Sequence, residues 1–264
     1  MTVGFIGAGN MGGALAVAVA KAIGGDKVYL ADPCRDKVET LAALIGATVT
    51  DNATVMDTCD YVFLGVKPQM METVLGGMQL SRYASLPVLV SMAAGLSTDA
   101  IREMAGTPAA VIRIMPNTPV AVGEGMILYT ATPEVSALQL EGFTQMLSCA
   151  GRLACIEERL IDAASAVSGC GPAFAYLFIE ALADGGVECG LPRQQAQEYA
   201  AQMLLGAARM VLETGRHPGE LKDAVCSPGG TTIAGVHALE DGGFRSLAMD
   251  AVSAAYQRTL ELKK

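Results

Sequence analysis

The feature that most constrains the fold is the hexapeptide GAGNMG at residues 7–12, which follows an apolar run and opens a helical stretch. In such a motif Gly7 permits a tight turn, Gly9 lets a ligand approach the backbone, and Gly12 lets the helix pack closely on the strand. The free amides and the dipole of the helix N-terminus favour a pyrophosphate. Strand, loop, helix and second strand occur in that order, and Asp32 closes the second strand. The motif therefore predicts dinucleotide binding in preference to an ordinary glycine-rich turn.

The chain around this motif alternates short apolar runs with helical stretches. Strands are predicted at 2–6, 27–31, 48–50, 61–66, 88–92 and 110–115. Strands separated by helices form βαβ units, which build a parallel sheet covered on both faces. Two further runs, 124–131 and 151–158, extend the same sheet. We therefore expect an α/β fold with a Rossmann-like, doubly wound, mostly parallel sheet over residues 1–156.

Residues 157–264 show helical periodicity only. One apolar stripe has helical spacing and is formed by Ala196, Ala200, Leu204, Ala207 and Val211. This half is rich in Ala and Gly, and several of its helix faces carry little charge. A domain of this size has too few helices to cover all of these faces within one chain. We predict an all-helical domain at 157–264 that forms a homo-oligomer.

Charge and cysteine usage limit the partners and the compartment. A net charge of −9 and a sequence pI near 4.7 disfavour a nucleic-acid partner. The seven cysteines form no CxxC pair, which favours buried thiols in a reducing, cytoplasmic environment and no metal site. The chain opens without a positively charged leader. The uncharged run 163–179 is interrupted by SGCGP, so we expect buried helices there and no membrane contact.

Three later strand ends are predicted to line the nicotinamide end of the cofactor site, because ligands of open parallel sheets lie outside the carboxyl ends of strands. The first is GVKPQ at 65–69, with Val66, Lys67 and Pro68. The second is SMAAG at 91–95, with Ala93 and Ala94. The third is MPNTP at 115–119, a loop fixed by two prolines with Asn117 between them, for which a purely rigid turn is the alternative.

Cofactor choice stays open at the second strand. Asp32 by itself favours a free ribose 2′-hydroxyl and hence NAD(H). The following DPCRDK segment also offers Arg35 and Lys37, which are either partners for the 2′-phosphate of NADP(H) or solvated loop charges.

Besides the glycine motif at 7–12, a second segment, SPGGTT at 227–232, is a candidate site for a small anion. We call these two segments the first and the second cradle. Proline and glycines start a helix whose free amides suit a carboxylate. No Lys follows the glycines, so this is not a nucleoside-triphosphate loop. A helix cap without a ligand is the alternative, because Ser227, Thr231 and Thr232 are all capping residues.

Together, GAGNMG, VKPQ, SMAAG, MPNTP, SGCGPAF, LPR and DAVCSPGGTTIAGVHALEDGGFR resemble the pyrroline-5-carboxylate reductases over essentially the whole chain. The resemblance implies reduction of 1-pyrroline-5-carboxylate to L-proline by NADPH or NADH, usually NADPH. It also implies dimers interlocked through the C-terminal helices, often five dimers in a ring. In the family an Asn or Ser with a basic residue often follows the second strand, whereas this chain has Asp32 and Pro33 there.

The resemblance also implies residue roles. The cofactor residues are Gly7, Ala8, Gly9, Asn10, Met11, Gly12, Asp32, Arg35, Asn52, Val66, Lys67, Pro68, Ala93 and Ala94. The substrate residues are Asn117, Gly229, Gly230, Thr231 and Thr232, with the carboxylate held by the second cradle. Thr232 is the catalytic candidate, because its hydroxyl is placed to orient the imine nitrogen. Neither of the two histidines lies in a catalytic pair.

Two other functions compete with this one. A β-hydroxyacid-type dehydrogenase removes an alcohol proton and carries a lysine at a glycine-rich helix start, but SGCGPAFAYLFIEA has none. An NADP(H)-binding regulatory scaffold is compatible with the same fold, since fold does not decide function. Turnover of reduced cofactor with an imine distinguishes an enzyme from such a scaffold.

Overall fold

The N-terminal half is built on a single sheet. A computed structural model of the chain describes residues 1–83 and 85–262. Its eight strands are β1 (Val3–Ile6), β2 (Val28–Ala31), β3 (Thr48–Val49), β4 (Tyr61–Leu64), β5 (Val88–Ser91), β6 (Val111–Met115), β7 (Gly125–Ala131) and β8 (Gly151–Cys155). Each corresponds to a predicted run.

The strand order confirms the doubly wound topology. The sheet runs β3-β2-β1-β4-β5-β6-β7-β8, and only the β6–β7 pair is antiparallel. The switch point lies between β1 and β4, because the helices that follow these two strands pack on opposite faces of the sheet. β4 ends at Leu64, so Gly65 and Val66, predicted as strand, lie in the loop beyond it.

Helices cover both faces of the sheet. One layer contains α1 (Asn10–Ile23), α2 (Arg35–Ile45) and α6 (Ala137–Met146), and the other contains α3 (Asn52–Thr58), α4 (Met71–Met78) and α5 (Thr98–Ala105). Successive side chains of β1 point to opposite faces of the sheet, so Phe5 packs in the core under the first layer and Ile6 in the core under the second. Phe5 also stacks on Phe63 of β4 at 4.6 Å between ring centroids.

The remaining chain is helical, as predicted. Its helices are α7 (Ile161–Ser168), α8 (Gly171–Glu188), α9 (Arg193–Thr214), α10 (Pro218–Ala224), α11 (Thr231–Asp241) and α12 (Phe244–Leu262). By their contacts, one compact unit comprises Met1–Cys170 with the chain from Tyr256 onward, and the other comprises Gly171–Ala255. The last strand ends at Cys155 and only helices follow it, whereas the compact units divide after Cys170.

The second unit buries little of its own surface. Its buried residues are Ala183, Ala196 and Ala200, all at the α8–α9 contact. Small side chains let these helices approach closely, and a Cβ added at Gly186 would lie 3.1 Å from the Cβ of Ala196. Phe178 of α8 also contacts Phe244 of α12, with ring centroids 5.5 Å apart.

Two sequence-based expectations about burial are wrong. Of the seven cysteines, all of them free, only Cys59 is buried. The run 163–179 is not buried within the chain either: the helical stretch Glu158–Glu188 is long and apolar enough to span a membrane by length and composition, and only 11% of its most apolar window is buried. Apolarity predicted burial in each case, but burial requires a covering layer, which the other six cysteines and this helical stretch do not have in full within the chain.

Candidate active site

A cleft of about 950 Å³ opens at the carboxyl ends of the first four strands. It lies where the doubly wound topology is expected to bind ligands. The lining comes from loops after β1, β2, β3 and β4 and from α4 and its following turn: Ile6, Gly7, Gly9, Ala31, Asp32, Pro33, Arg35, Thr50, Asp51, Asn52, Ala53, Gly65, Val66, Lys67, Met70, Thr73, Val74, Gly77, Met78, Arg82 and Tyr83.

The glycine motif is shaped as a dinucleotide loop requires. Gly7 has φ +93°, and a Cβ there would lie 2.7 Å from the carbonyl carbon of Gly65. A Cβ at Gly12 would lie 2.3 Å from the Gly7 oxygen. At Gly9, by contrast, a Cβ would meet nothing within 4 Å. Two glycines therefore close the loop against the protein, while the third exposes backbone towards the cleft at the start of α1, as pyrophosphate binding needs.

The predicted cofactor residues fall into three groups. Seven line the cleft: Gly7, Gly9, Asp32, Arg35, Asn52, Val66 and Lys67. Five adjoin that lining in the chain: Ala8 within the glycine loop, Asn10, Met11 and Gly12 in the first turn of α1, and Pro68 after Lys67. The last two, Ala93 and Ala94, follow β5 and do not line this cleft.

Sequence reasoning named Gly65 only as part of the GVKPQ segment and missed several other lining residues. Gly65 is required because a Cβ there would lie 2.3 Å from the Gly7 oxygen. Asp51, Arg82 and Tyr83 also line the cleft. Asp51 precedes a helix as a typical N-cap, whereas Arg82 and Tyr83 follow α4 and carry no motif that marks them.

The Asp32 carboxylate is held by two backbone amides, one before β2 in the chain and one after it. One carboxylate oxygen accepts a hydrogen bond from the Ala8 amide at 2.8 Å, and the other accepts from the Cys34 amide at 2.8 Å. The Gly7 amide donates to the Ala31 oxygen at 2.8 Å. The glycine loop is thus tied to the loop after β2 by side-chain and main-chain bonds.

A second carboxylate, Asp51, faces the same cleft as the N-cap of α3. It accepts a hydrogen bond from the Thr54 amide at 2.8 Å. That bond, with a smaller contribution from the positive charge of Arg35, holds the pKa of Asp51 below its ordinary value. Asp51 is therefore ionised at neutral pH.

Asn117 is held firmly within the first unit. Its amide donates to the Ser168 oxygen at 2.9 Å, and its carbonyl accepts from the Met126 amide at 2.9 Å. The residue is 9% exposed. These bonds fix the loop after β6 to β7 and to the end of α7.

A buried ion cluster lies just before that loop. Arg113 of β6 contacts Asp162 at 3.0 Å and Glu158 at 3.2 Å. Glu158 also accepts bonds from the amide and the hydroxyl of Thr98, the first residue of α5. The cluster ties β6, α5 and α7 together at one end of the sheet.

The second cradle occupies the start of α11 in the second unit. Gly229 has φ +66°, and Gly230 caps the helix without a side-chain bond. The Gly230 amide donates to the Ser227 oxygen at 3.0 Å, so it is engaged in the turn. Helix geometry leaves the amides of Thr231 and Thr232 without an intrahelical acceptor, and both residues are exposed.

Each of the two histidines has a partner close by in the chain. His217 caps α10, where its Nδ1 accepts from the Gly219 amide at 3.1 Å. His237 lies one helical turn from Asp241 on α11, at 3.6 Å. Among residues 1–83 and 85–262, no group of three or more His, Cys, Asp or Glu side chains is arranged to hold a metal ion.

Comparison with known proteins places this geometry in a family. The model of the pyrroline-5-carboxylate reductase dimerisation family matches residues 158–262, and that of the F420-dependent NADP oxidoreductases matches residues 2–95. The chain is 43% identical over 271 residues to pyrroline-5-carboxylate reductase 2 of Bos taurus, covering 100% of this chain and 84% of that protein. It is 39% identical over 266 residues to pyrroline-5-carboxylate reductase of Escherichia coli, covering 99% and 98%.

A solved structure agrees with the sequence comparison. The crystal structure of Plasmodium falciparum pyrroline carboxylate reductase with NADP bound superimposes with a TM-score of 0.88 at 32% identity. The match covers 100% of this chain and 98% of that one.

Proposed function

Because the chain belongs to the pyrroline-5-carboxylate reductase family and is an NADP(H)-dependent oxidoreductase that reduces 1-pyrroline-5-carboxylate to L-proline, we propose that its two cradles divide this reaction between them. The glycine loop of the first unit binds the cofactor, and the SPGGTT turn of the second unit binds the substrate. The observation that carries the proposal is the presence of two glycine-bounded helix starts, at α1 and at α11.

The first unit fits a dinucleotide. Gly9 and the amides of Asn10 and Met11 face the pyrophosphate, because the space beside Gly9 is open and the first turn of α1 has no side-chain cap. Asn52 binds the ribose side and Lys67 the nicotinamide side of the cleft. The reduced nicotinamide supplies the hydride. Val66, Pro68, Ala93 and Ala94 are proposed to line its ring with apolar surface.

The second unit fits a small carboxylate. Gly229 and Gly230 let a ligand approach the backbone, and the Thr231 and Thr232 amides donate to the carboxylate. Since the Gly230 amide already donates within the turn, its contribution is steric: a Cβ at Gly230 would lie 2.2 Å from the Ser227 hydroxyl oxygen.

Thr232 is the proposed catalytic residue. The imine nitrogen is basic enough to be protonated near neutral pH, so the reaction needs orientation more than a strong acid. The Thr232 hydroxyl hydrogen-bonds at that nitrogen and presents one face of the ring for hydride transfer. Asn117 supports the site by fixing the 115–119 loop, because both ends of its amide are bonded to main-chain atoms.

The assembly is a homo-oligomer built on the dimerisation region at 158–262. We propose that the dimer interface is the apolar surface of the second unit. This surface includes Tyr176, Leu177, Met210, Leu212 and Leu247. A partner subunit that covers this surface accounts for the exposed apolar helical stretch Glu158–Glu188 without a membrane. Five dimers in a ring and a cytoplasmic location complete the proposal.

We also propose residues 1–156 and 157–264 as the functional domains. The dimerisation family match begins at residue 158, which supports a boundary there. The compact units divide later, after Cys170, because α7 packs against β7 of the sheet.

The test is turnover of wild type and Thr232→Ala with 1-pyrroline-5-carboxylate, followed by loss of reduced-nicotinamide absorbance. We expect the Ala variant to lose about 100-fold in kcat. Its Kd for NADPH, measured by titration without substrate, should not change.

Two further variants serve as controls. Thr232→Ser keeps the hydroxyl and should recover most of the activity, and Thr40→Ala on α2 removes an exposed hydroxyl far along the chain and should behave as wild type. Cofactor binding without turnover in the wild type would instead favour the regulatory scaffold.

A further inference from the structure

Glu158, directly after β8, joins the loops that follow β5 and β6. One of its carboxylate oxygens accepts a hydrogen bond from the Thr98 amide at 2.7 Å and another from the Arg113 guanidinium at 3.2 Å. The other oxygen accepts from the Thr98 hydroxyl at 2.8 Å. Thr98 begins α5 and Arg113 lies in β6. Both oxygens are therefore occupied by donors from elements that are distant in the chain.

The loop after β5, residues 92–97, is held at its far end by this carboxylate. The loop turns at Gly95, which has φ +81°, and ends at Thr98, which is 6% exposed. A carboxylate at the first amide of a helix is favoured by the helix dipole as well as by the hydrogen bond. Glu158 therefore sets the position of the loop that carries the two alanines proposed to line the nicotinamide ring.

The loop after β6 is held through the same cluster. Arg113 is 2% exposed and also contacts Asp162, in the first turn of α7, at 3.0 Å. Further along the chain from Arg113, Asn117 donates to the oxygen of Ser168, the last residue of α7, at 2.9 Å. Helix α7 is thus bonded to β6 at its start and to the following loop at its end. Glu158 precedes α7 and shares the guanidinium with it.

Burial makes these bonds hard to replace. Without Glu158, the buried amide and hydroxyl of Thr98 lose their acceptor, and an unsatisfied buried donor costs free energy until the chain moves and water reaches it. The start of α5 and the loop before it would therefore shift. Hydride transfer is sensitive to such a shift, because the reacting atoms must lie about 3–3.5 Å apart and aligned.

We propose that Glu158 is a positioning residue for hydride transfer. Through Thr98 and Arg113 it keeps the loops after β5 and β6 at a fixed spacing, so that the reduced nicotinamide is held where its hydride reaches the imine carbon. The inference rests on the proposed placement of these loops beside the nicotinamide. Because both oxygens of Glu158 are occupied within the protein, it acts through the loops and not by contact with the cofactor.

The experiment compares wild type and Glu158→Ala in a single turnover. The full-length protein, in excess over NADPH, is mixed with saturating 1-pyrroline-5-carboxylate, and the loss of nicotinamide absorbance is followed. We expect the rate constant to fall by about 10- to 100-fold, since a misplacement of about 1 Å has an effect of that size. The Kd of NADPH, measured by isothermal titration, should stay within about twofold, because the glycine loop at α1 binds the pyrophosphate.

This rate constant separates positioning from a loss of folded protein. With the protein in excess and the cofactor fully bound, it does not depend on the folded fraction. A wild-type rate constant for Glu158→Ala would overturn the inference, whatever the thermal stability of the variant. If Glu158→Ala does not fold, Glu158→Asp carries the same test: it keeps the charge but is one methylene too short to bond both donors of Thr98, and wild-type turnover by it would overturn the inference.

Glu158→Gln is the rescue variant. Its carbonyl oxygen accepts from the Thr98 amide, and its amide donates to the Thr98 hydroxyl, which is also an acceptor. Most of the wild-type rate constant should therefore return. A Gln variant as slow as the Ala variant would show that the bonds to Thr98 do not position the loop, and would count against the proposal.

Glu134→Ala is the matched control. Glu134 pairs with Arg102 of the same helix, α5, at 2.8 Å, but in the last turn of the helix and on the surface. Its rate constant and Kd should equal those of wild type, and an equal loss in both variants would mean a general loosening of α5 and reject the inference. Thr232→Ala is run alongside: a fast Thr232 variant beside a slow Glu158 variant rejects the proposed catalytic residue alone, and the reverse result rejects this inference alone.

Discussion

The two units of this chain are stabilised in different ways. The first encloses two apolar cores, one on each face of an eight-stranded sheet. The second buries only three alanines and exposes large apolar side chains along its helices. Burial of apolar area dominates folding stability, so the first unit has the means to be stable alone and the second depends on association. The comparison indicates that the family's dimer is part of the fold of this half.

The two cradles differ in the same sense. The glycine loop of α1 is held by distant parts of the chain, including Ala31, Asp32 and Gly65. The turn before α11 is closed locally by the bond from the Gly230 amide to the Ser227 oxygen. The first cradle is therefore shaped by tertiary packing, and the second by the sequence of its own turn.

The largest expected effect tests the contrast between buried and exposed charge. Arg113→Met leaves the carboxylates of Glu158 and Asp162 without their buried cation, which should cost about 3–5 kcal/mol in the free energy of unfolding. The matched variant Arg193→Met removes an exposed ion pair with Asp184 and should change stability by less than about 1 kcal/mol. Urea unfolding followed by circular dichroism checks both, since the chain has no Trp. Equal losses would break the contrast.

A somewhat smaller effect is expected from the glycine loop. Gly12→Ala places a Cβ 2.3 Å from the Gly7 oxygen, a backbone atom that cannot move aside. Overpacking of this kind should weaken NADPH binding by roughly 100-fold, or about 3 kcal/mol, as measured by titration.

The neighbouring glycine is the control for that loop. A Cβ at Gly13 would make ordinary contacts of 3.4 Å and 3.5 Å, so Gly13→Ala should bind NADPH like the wild type. Gly9→Ala should keep its thermal stability but lose affinity, because its Cβ projects into open space where the pyrophosphate is proposed to lie. Normal binding by the Gly12 variant would contradict the close packing of loop and helix.

The interface of the second unit should respond to a single charge. Leu177 on α8 is 67% exposed, and Leu177→Asp should raise the dimer dissociation constant by roughly thirtyfold, or about 2 kcal/mol. Light scattering over a dilution series measures this change. Leu44→Asp on α2 of the first unit alters a side chain that is 75% exposed and should leave the dimer intact. If only the Leu44 variant dissociates, the dimer interface does not lie on the second unit and the proposed location is wrong.

The smallest effect concerns the one buried thiol. Burial raises the pKa of Cys59 to about 12. The folded state therefore keeps the proton while an unfolded thiol loses it, so stability is unaffected below pH 9 and declines as pH rises from about 9 to 12. At neutral pH we expect a thiol reagent to label exposed Cys34 quickly and Cys59 only after unfolding. Fast labelling of Cys59 in the folded protein would refute this.

Local patterns carried most of the fold. Every predicted strand was found because apolar and β-branched runs are visible over a few residues, from two in β3 to seven in β7. The antiparallel pairing of β6 with β7 was not predicted, since the short connection between them, Thr118–Val122, gives no periodic signal. Burial was predicted least well, because six of the seven cysteines are not buried although they lie among apolar residues.

The candidate site was predicted only where a motif is contiguous. GAGNMG, GVKPQ and SPGGTT were visible as short segments, whereas Asp51, Arg82 and Tyr83 reach the first cleft from separate elements. The bond from the Ala8 amide to Asp32 and the bond from Asn117 to the Ser168 oxygen join residues 24 and 51 positions apart in the chain, so no spacing rule reveals them.

The sequence by itself determined the order of strands and helices, the two glycine-bounded helix starts and the family, because these depend on neighbouring residues and on contiguous motifs. Only the tertiary structure decided which residues face the cleft, that Asp32 fastens the glycine loop, and that the apolar helices of Gly171–Ala255 are left exposed. Those properties depend on which distant segments pack together, and packing is settled by the chain as a whole.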